Sequence, residues 1–230
     1  MAAHMWVRSL PFQPQISGKY EPVEGRESNG QGVWRQVSGP GWLYNSNESV
    51  WFVTVHEHCV GHTGGIIGAL APYGAPEQCA WKRWSGPVGG WVADTDVEVT
   101  ANAEDGLRIE SEQAQLMETR IASAPASLVL NIPHGNLSGT YRFVGRVLNA
   151  QPVWEHEEGT GLLFADSFNF WRVADGETGL EEGSGMVQSA DISPTTWPSA
   201  VAEWKGKAVG GESDTCVPGE WLVDSRIQIS

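Results

Sequence analysis

The chain has 230 residues, of which 28 are acidic and 14 basic, giving a formal net charge of −14. That balance argues against nucleic acid and anionic membrane as partners by repulsion, and no apolar run approaches the ~20 residues a membrane-spanning helix needs. A hydrophobic share of 40% with 18% charged residues excludes wholesale disorder.

Twelve tryptophans, 28 glycines and 13 prolines favour short strands and tight turns over long helices. Residues 1–15 read as an N-terminal extension in which "AAHM" has the form of a cloning remnant, with no apolar stretch of a secretory signal. A first β unit is expected over 16–100. It opens with "ISGKY" at Ile16–Tyr20 and continues with "NGQGVW" at Asn29–Trp34. Trp51–His58 alternates as a strand, and Trp91–Thr100 alternates cleanly as a second one.

Residues 101–136 read as a linker. Within it Glu110–Ile121 is rich in helix formers, with Ala114, Met117 and Ile121 at helical spacing. "SLVLNI" at Ser127–Ile132 predicts a strand outside either unit, free to bridge them. A second unit follows over 137–230, and it repeats the first. "LSGTY" at Leu137–Tyr141 returns "ISGKY", and "NAQPVW" at Asn149–Trp154 returns "NGQGVW". Gly41, Leu43, Trp51 and Val53 then match Gly161, Leu163, Trp171 and Val173 without a gap. The endings agree as well, "WVADTDVEV" from Trp91 and "WLVDSRIQI" from Trp221. The expected fold is therefore all-β, two homologous antiparallel units packed with pseudo-two-fold symmetry, with a minor helix between them.

Tryptophans at matched places, Trp34, Trp51, Trp91, Trp154, Trp171 and Trp221, read as core, because thin β units need large rings to fill them. Trp204 is expected to match Trp81 or Trp84. The unmatched Trp6, Trp42 and Trp197 read as surface, with Trp42 and Trp197 a contact surface, as are Ile227 and Ile229 on a C-terminal strand poorly guarded by charge. That strand is free to pair with a neighbouring chain or with the Leu128–Ile132 segment.

"HEHCVGH" gathers His56, His58 and His62 with Glu57 and Cys59. On a strand His56 and His58 share a face, as two imidazoles gripping one divalent metal must. The second unit offers "VADGE", Val173–Glu177, at that place, so the fold does not require the cluster. Three cysteines, Cys59, Cys79 and Cys216, make no disulfide framework. No Gly-x-Ser-x-Gly elbow, P-loop, dinucleotide fingerprint or Cys-x-x-Cys is present.

The order Gly-x-Tyr, Asn-x-Gln-x-Val-Trp, Gly-x-Leu-Tyr/Phe, Trp-x-Val and a terminal Trp strand resembles the Trp/Tyr-rich tandem β repeats of algal and protist proteins. Pyrenoid shell proteins are one class there built of two pseudo-symmetric β units. The resemblance implies lateral self-assembly and a plastid location, and it assigns no site residues.

Together these features point to a soluble, non-enzymatic structural or interaction protein, a tandem β scaffold that associates with itself or with another protein. No cofactor is expected on that reading. The alternatives are a metal-binding protein or metal-dependent enzyme using His56, His58 and His62, and a carbohydrate-binding module using exposed tryptophans.

Overall fold

The computed structural model describes residues 3–70, 74–85, 89–133, 136–181, 185–190, 195–207 and 221–230. Cys216 lies outside them. The chain divides into two compact units, Met1–Thr119 and Arg120–Ser230.

Among the described residues unit 1 contains nine strands: β1 (Met5–Arg8), β2 (Gly18–Ser28), β3 (Gln31–Gln36), β4 (Trp42–Asn45), β5 (Trp51–Thr54), β6 (Ile67–Ala69), β7 (Trp81–Trp84), β8 (Trp91–Ala93) and β9 (Glu98–Thr100). They form one antiparallel sheet in the order β8-β7-β6-β5-β4-β3-β2-β1-β9. Unit 2 repeats the plan with β10 (Ser127–Asn131), β11 (Gly139–Leu148), β12 (Gln151–His156), β13 (Gly161–Ala165), β14 (Trp171–Asp175), β15 (Val187–Ser189), β16 (Trp204–Lys207), β17 (Trp221–Val223) and β18 (Gln228–Ile229). Its order is β17-β16-β15-β14-β13-β12-β11-β10-β18. The all-β duplication is thus the architecture. Among the described residues no helix is long and apolar enough to cross a membrane.

Trp91–Thr100 is not one strand. It breaks at Asp94, whose Oδ1 accepts the Asp96 N–H at 3.0 Å and turns the chain. β8 and β9 are the two opposite edges of the nine-stranded sheet, yet Ala93 and Glu98 lie five residues apart, a reach of at most about 18 Å. Edges held that close require the sheet to curl on itself. Unit 2 does the same, with Asp224 Oδ1 accepting the Arg226 N–H at 3.0 Å between β17 and β18. The repeated ending is therefore the turn that carries the chain from one edge of each curled sheet to the other.

Residues 1–15 are more than an extension, and "SLVLNI" is not outside the repeat. β1 pairs with β2 and β9, and β10 pairs with β11 and β18 in the same antiparallel arrangement. Each unit begins with its own strand, and the C-terminal strand pairs with β10 inside unit 2. Ser230 and Val129 exchange both backbone hydrogen bonds there, at 2.8 and 3.0 Å.

The inner face carries the core. Trp34, Trp51, Trp154 and Trp171 are buried, and each indole N–H reaches a backbone carbonyl, those of Ala3, Gly74, Pro125 and Thr196 respectively. Trp81 and Trp204 are buried at equivalent register, opposite Ala69 and Ser189, which settles the match with Trp81. Tyr20 and Tyr141 are fully buried and donate to the carbonyls of Ile16 and Leu137 at 2.7 and 2.8 Å. Burial pushes both phenols above their ordinary pKa. A Cβ at Gly41 or Gly161 would stand 2.1 or 2.4 Å from those hydroxyls, so only glycine leaves room for the ring.

Helix α1 (Ala103–Ser123) is capped by Asn102, whose Oδ1 accepts the Glu104 N–H at 2.8 Å. It starts seven residues before the expected Glu110. Its contact face also differs from the expected one: Gly106 and Ile109 are buried, while Ala114 is exposed and Ile121 is 40% exposed. Gly106 lies against Trp6, where a Cβ would fall 2.4 Å from the indole, so Trp6 is buried too. Arg8–Glu112, Arg108–Glu98 and a 2.6 Å bond from Gln113 Nε2 to the Ser17 carbonyl fasten the helix over β9, β1 and β2.

Candidate functional site

Register places every second residue of β4, β5 and β7 on the outer face of the unit 1 sheet. Tyr44, Phe52, Lys82 and Trp84 share that face, and Trp91 joins them opposite Trp84. Tyr44 stacks on Phe52 with centroids 6.2 Å apart, Phe52 meets Trp91 at 6.0 Å, and Trp91 meets Trp84 edge-on at 5.7 Å. Lys82 Nζ lies 5.0 Å from the Trp91 ring. Gly68 is the floor of this row: a Cβ there would sit 2.6 Å from Phe52 Cε1.

The row runs out to a free edge. Among the described residues β8 pairs with β7 alone, which leaves one side of its backbone without a partner strand, and Trp91 and Val92 are 37% and 39% exposed. Unit 2 changes the chemistry at the same positions. Arg172 stands where Phe52 does, Gln188 where Gly68 does, and Trp221 where Trp91 does. The Arg172 guanidinium lies 5.5 Å from the Trp221 ring and pairs with Asp166 at 2.5 Å. Burial raises the Asp166 carboxyl against the opposing pull of Arg172.

Several sequence expectations are corrected here. Trp91 and Trp221 are not core, because each lies on a strand that is an edge of its sheet among the described residues; Trp91 is exposed and Trp221 half-buried. Trp42 is not a contact residue. It is buried in an outer-face cluster with Val33, Tyr44 and Phe52, with the guanidinium carbons of Arg26 and Arg35 at 4.8 and 5.3 Å from its ring. Ile227 and Ile229 are buried, and the half-buried Trp197 packs edge-on against Trp154 at 6.2 Å, so these belong to the unit 2 core. An unmatched aromatic is thus not thereby an exposed one.

The histidine cluster follows the strand instead of lying on it. β5 ends at Thr54, and Glu57–Cys59 forms a 3₁₀ turn. His56 and His58 stack with centroids 5.3 Å apart, while His58 and His62 are exposed. Among the described residues no three His, Cys, Asp or Glu side chains come together as a set able to hold a metal ion. Within the segment the His62 carbonyl accepts the Tyr44 hydroxyl at 3.0 Å, and Glu57 pairs with Arg26 at 2.5 Å. Unit 2 makes the same link from Arg146 to Glu177, at 2.6 Å, in the short helix α2 (Gly176–Glu181). Cys79 is no activated thiol, since burial and, after it, Glu77 push its pKa up.

The fold and face define an internally duplicated all-β protein with an aromatic outer row on one unit. No protein-family model, curated protein or solved structure matches the chain.

Proposed function

We propose that the chain is a non-enzymatic β scaffold that engages protein, a second copy or another chain, through the β8 edge of unit 1. The observation that carries this reading is an edge strand, without a second partner among the described residues, with Trp91 and Val92 more than a third exposed. An unpaired edge offers main-chain hydrogen bonds to an added strand, and tryptophan at its rim supplies contact area at low entropic cost.

Sugar stacking is the weaker use of the same rings. A platform needs an open ring face, and Trp91 already has Lys82, Phe52 and Trp84 around it. What remains open is the rim, which suits an adjoining protein surface.

Light scattering of the full chain over a concentration series tests the reading. Self-association that falls with Val92→Lys, a charge placed on the free edge, is the expected result. Wild-type protein that stays monomeric throughout and captures no protein through this edge would end the proposal.

A further inference from the structure

One turn in each unit hangs on a single side chain, and the two side chains answer acid differently. In unit 1 Gln36 donates from Nε2 to the Ser17 carbonyl at 2.8 Å and accepts the Gly41 N–H at 2.9 Å. Its amide has no proton to gain near neutral pH, so both bonds persist on mild acidification. In unit 2 His156 takes the same register, opposite Tyr141 as Gln36 is opposite Tyr20. Its Nε2 meets the Ser138 carbonyl at 2.9 Å, and its Nδ1 meets the Glu158 N–H at 3.1 Å. A carbonyl only accepts and a backbone N–H only donates, so both bonds exist together only while the ring is neutral.

The ring sits in a close-fitting slot. Tyr141 meets it edge-on at 4.9 Å, a Cβ at Gly159 would stand 3.0 Å from Nδ1, and one at Gly139 would overlap Nε2. Protonation adds an N–H at Nδ1, so that donor faces the Glu158 donor and the bond is lost. Among the described residues the charged groups that share the mouth of about 550 Å³ with His156 are Glu158 and Asp175. Asp175 also accepts the Thr160 hydroxyl. Arg142 follows Tyr141 onto the opposite face and is taken up there by Glu157. Both carboxylates at the mouth favour an imidazolium and offer its Nδ1–H an acceptor. Unit 1 has Ser38 and Val55 in their places, with no charge to offer. We infer that His156 is an acid-released clamp on the turn 157–160 between β12 and β13. Neutral, it holds the Glu158 amide; charged, it lets that amide go and turns to a carboxylate, while the Gln36 turn of unit 1 stays fastened.

Histidine is the side chain whose charge ordinarily changes between pH 5 and 8, and that range is the one to scan. The full chain is titrated by NMR, following the His156 ring C–H signals and the Glu158 and Gly41 amides. The Glu158 amide signal is expected to shift with the same midpoint as the ring, while the Gly41 amide holds still. His156→Gln, which installs the side chain of the sister position, is expected to abolish the Glu158 response. A Glu158 amide that stays put while the ring titrates overturns the clamp, as does a ring that keeps one charge state throughout. A Glu158 response that survives in His156→Gln overturns it too, since the titrating group is then another. The wild-type comparison of the two amides decides by itself if the variant does not fold.

Discussion

Unit 1 and unit 2 share an interior and differ in their surfaces. The two buried tryptophans that face each other, Trp34 with Trp51 and Trp154 with Trp171, stand 6.0 and 5.7 Å apart and hand their N–H groups to equivalent loops. Gln36 donates to the Ser17 carbonyl at 2.8 Å and accepts the Gly41 N–H at 2.9 Å. His156, in the same register, bonds the Ser138 carbonyl at 2.9 Å and accepts the Glu158 N–H at 3.1 Å, which sets its neutral ring as the Nε2–H tautomer. Different chemistry therefore fills one geometric role. Outside, the agreement stops: a helix over β1 against a β10 that no described helix covers, and Phe52 over Gly68 against Arg172 beside Gln188. Curling the sheet constrains what faces inward, whereas each outer face is free to take a helix, a partner or water.

Truncating the interior tests the shared half of that comparison hardest. Trp51→Ala and Trp171→Ala are each expected to cost about 3–5 kcal/mol, as removal of a buried aromatic does, measured by urea unfolding. The two losses should agree within about 1 kcal/mol. A large loss at one position with near-wild-type stability at the other would mean that the units do not rest on equivalent cores.

Gly106→Ala probes the half that differs. The new Cβ would fall 2.4 Å from the Trp6 ring, which is held between helix and sheet. Overpacking of this kind costs about 1–3 kcal/mol, set against a gain of up to ~1 kcal/mol in helix propensity. Hydrogen exchange should show β1 amides losing protection while β10 amides keep theirs. Equal loosening of both strands would contradict a roof confined to unit 1.

How much of this was legible follows the same line between inside and outside. The duplication, with Gly41 matched to Gly161, and four of six core tryptophans could be read because large rings and close approaches restrict the residue type, whereas the tyrosines those glycines make room for came only from the structure. Trp91 and Trp221 misled, since matching positions reveal a shared backbone role and not depth. "MWVR" at Met5–Arg8 and "LVLN" at Leu128–Asn131 share no side chains, so only backbone pairing reveals β1 and β10 as the same strand. Trp91–Thr100 alternates perfectly well as one strand; Asp94 at the break was the available signal, as a residue that caps turns through its own side chain. The exposed rim of the aromatic row needed register across four strands, which no local pattern supplies.

The finest difference lies in one turn. β2 and β3 are joined by Asn29 and Gly30 at φ 52° and 69°, and β11 and β12 by Asn149 and Ala150 at φ 51° and 61°. Two consecutive residues at positive φ define the hairpin turn whose twist matches the strands, for which Asn-Gly is the preferred pair. Alanine in that region crowds its Cβ against the backbone, at about 1 kcal/mol. Nothing lies within 4 Å of a Cβ at Gly30, so conformation alone separates the two turns. Ala150→Gly is therefore expected to stabilise unit 2 by about 0.5–1 kcal/mol, the relief of strain being partly offset by glycine's greater freedom in the unfolded chain. Gly30→Ala should destabilise unit 1 by a similar amount. Thermal and urea unfolding of the two variants, run side by side, should move in opposite directions. Shifts of the same sign would show that the two hairpins do not share their turn, and the register equivalence of the units would fail at that point.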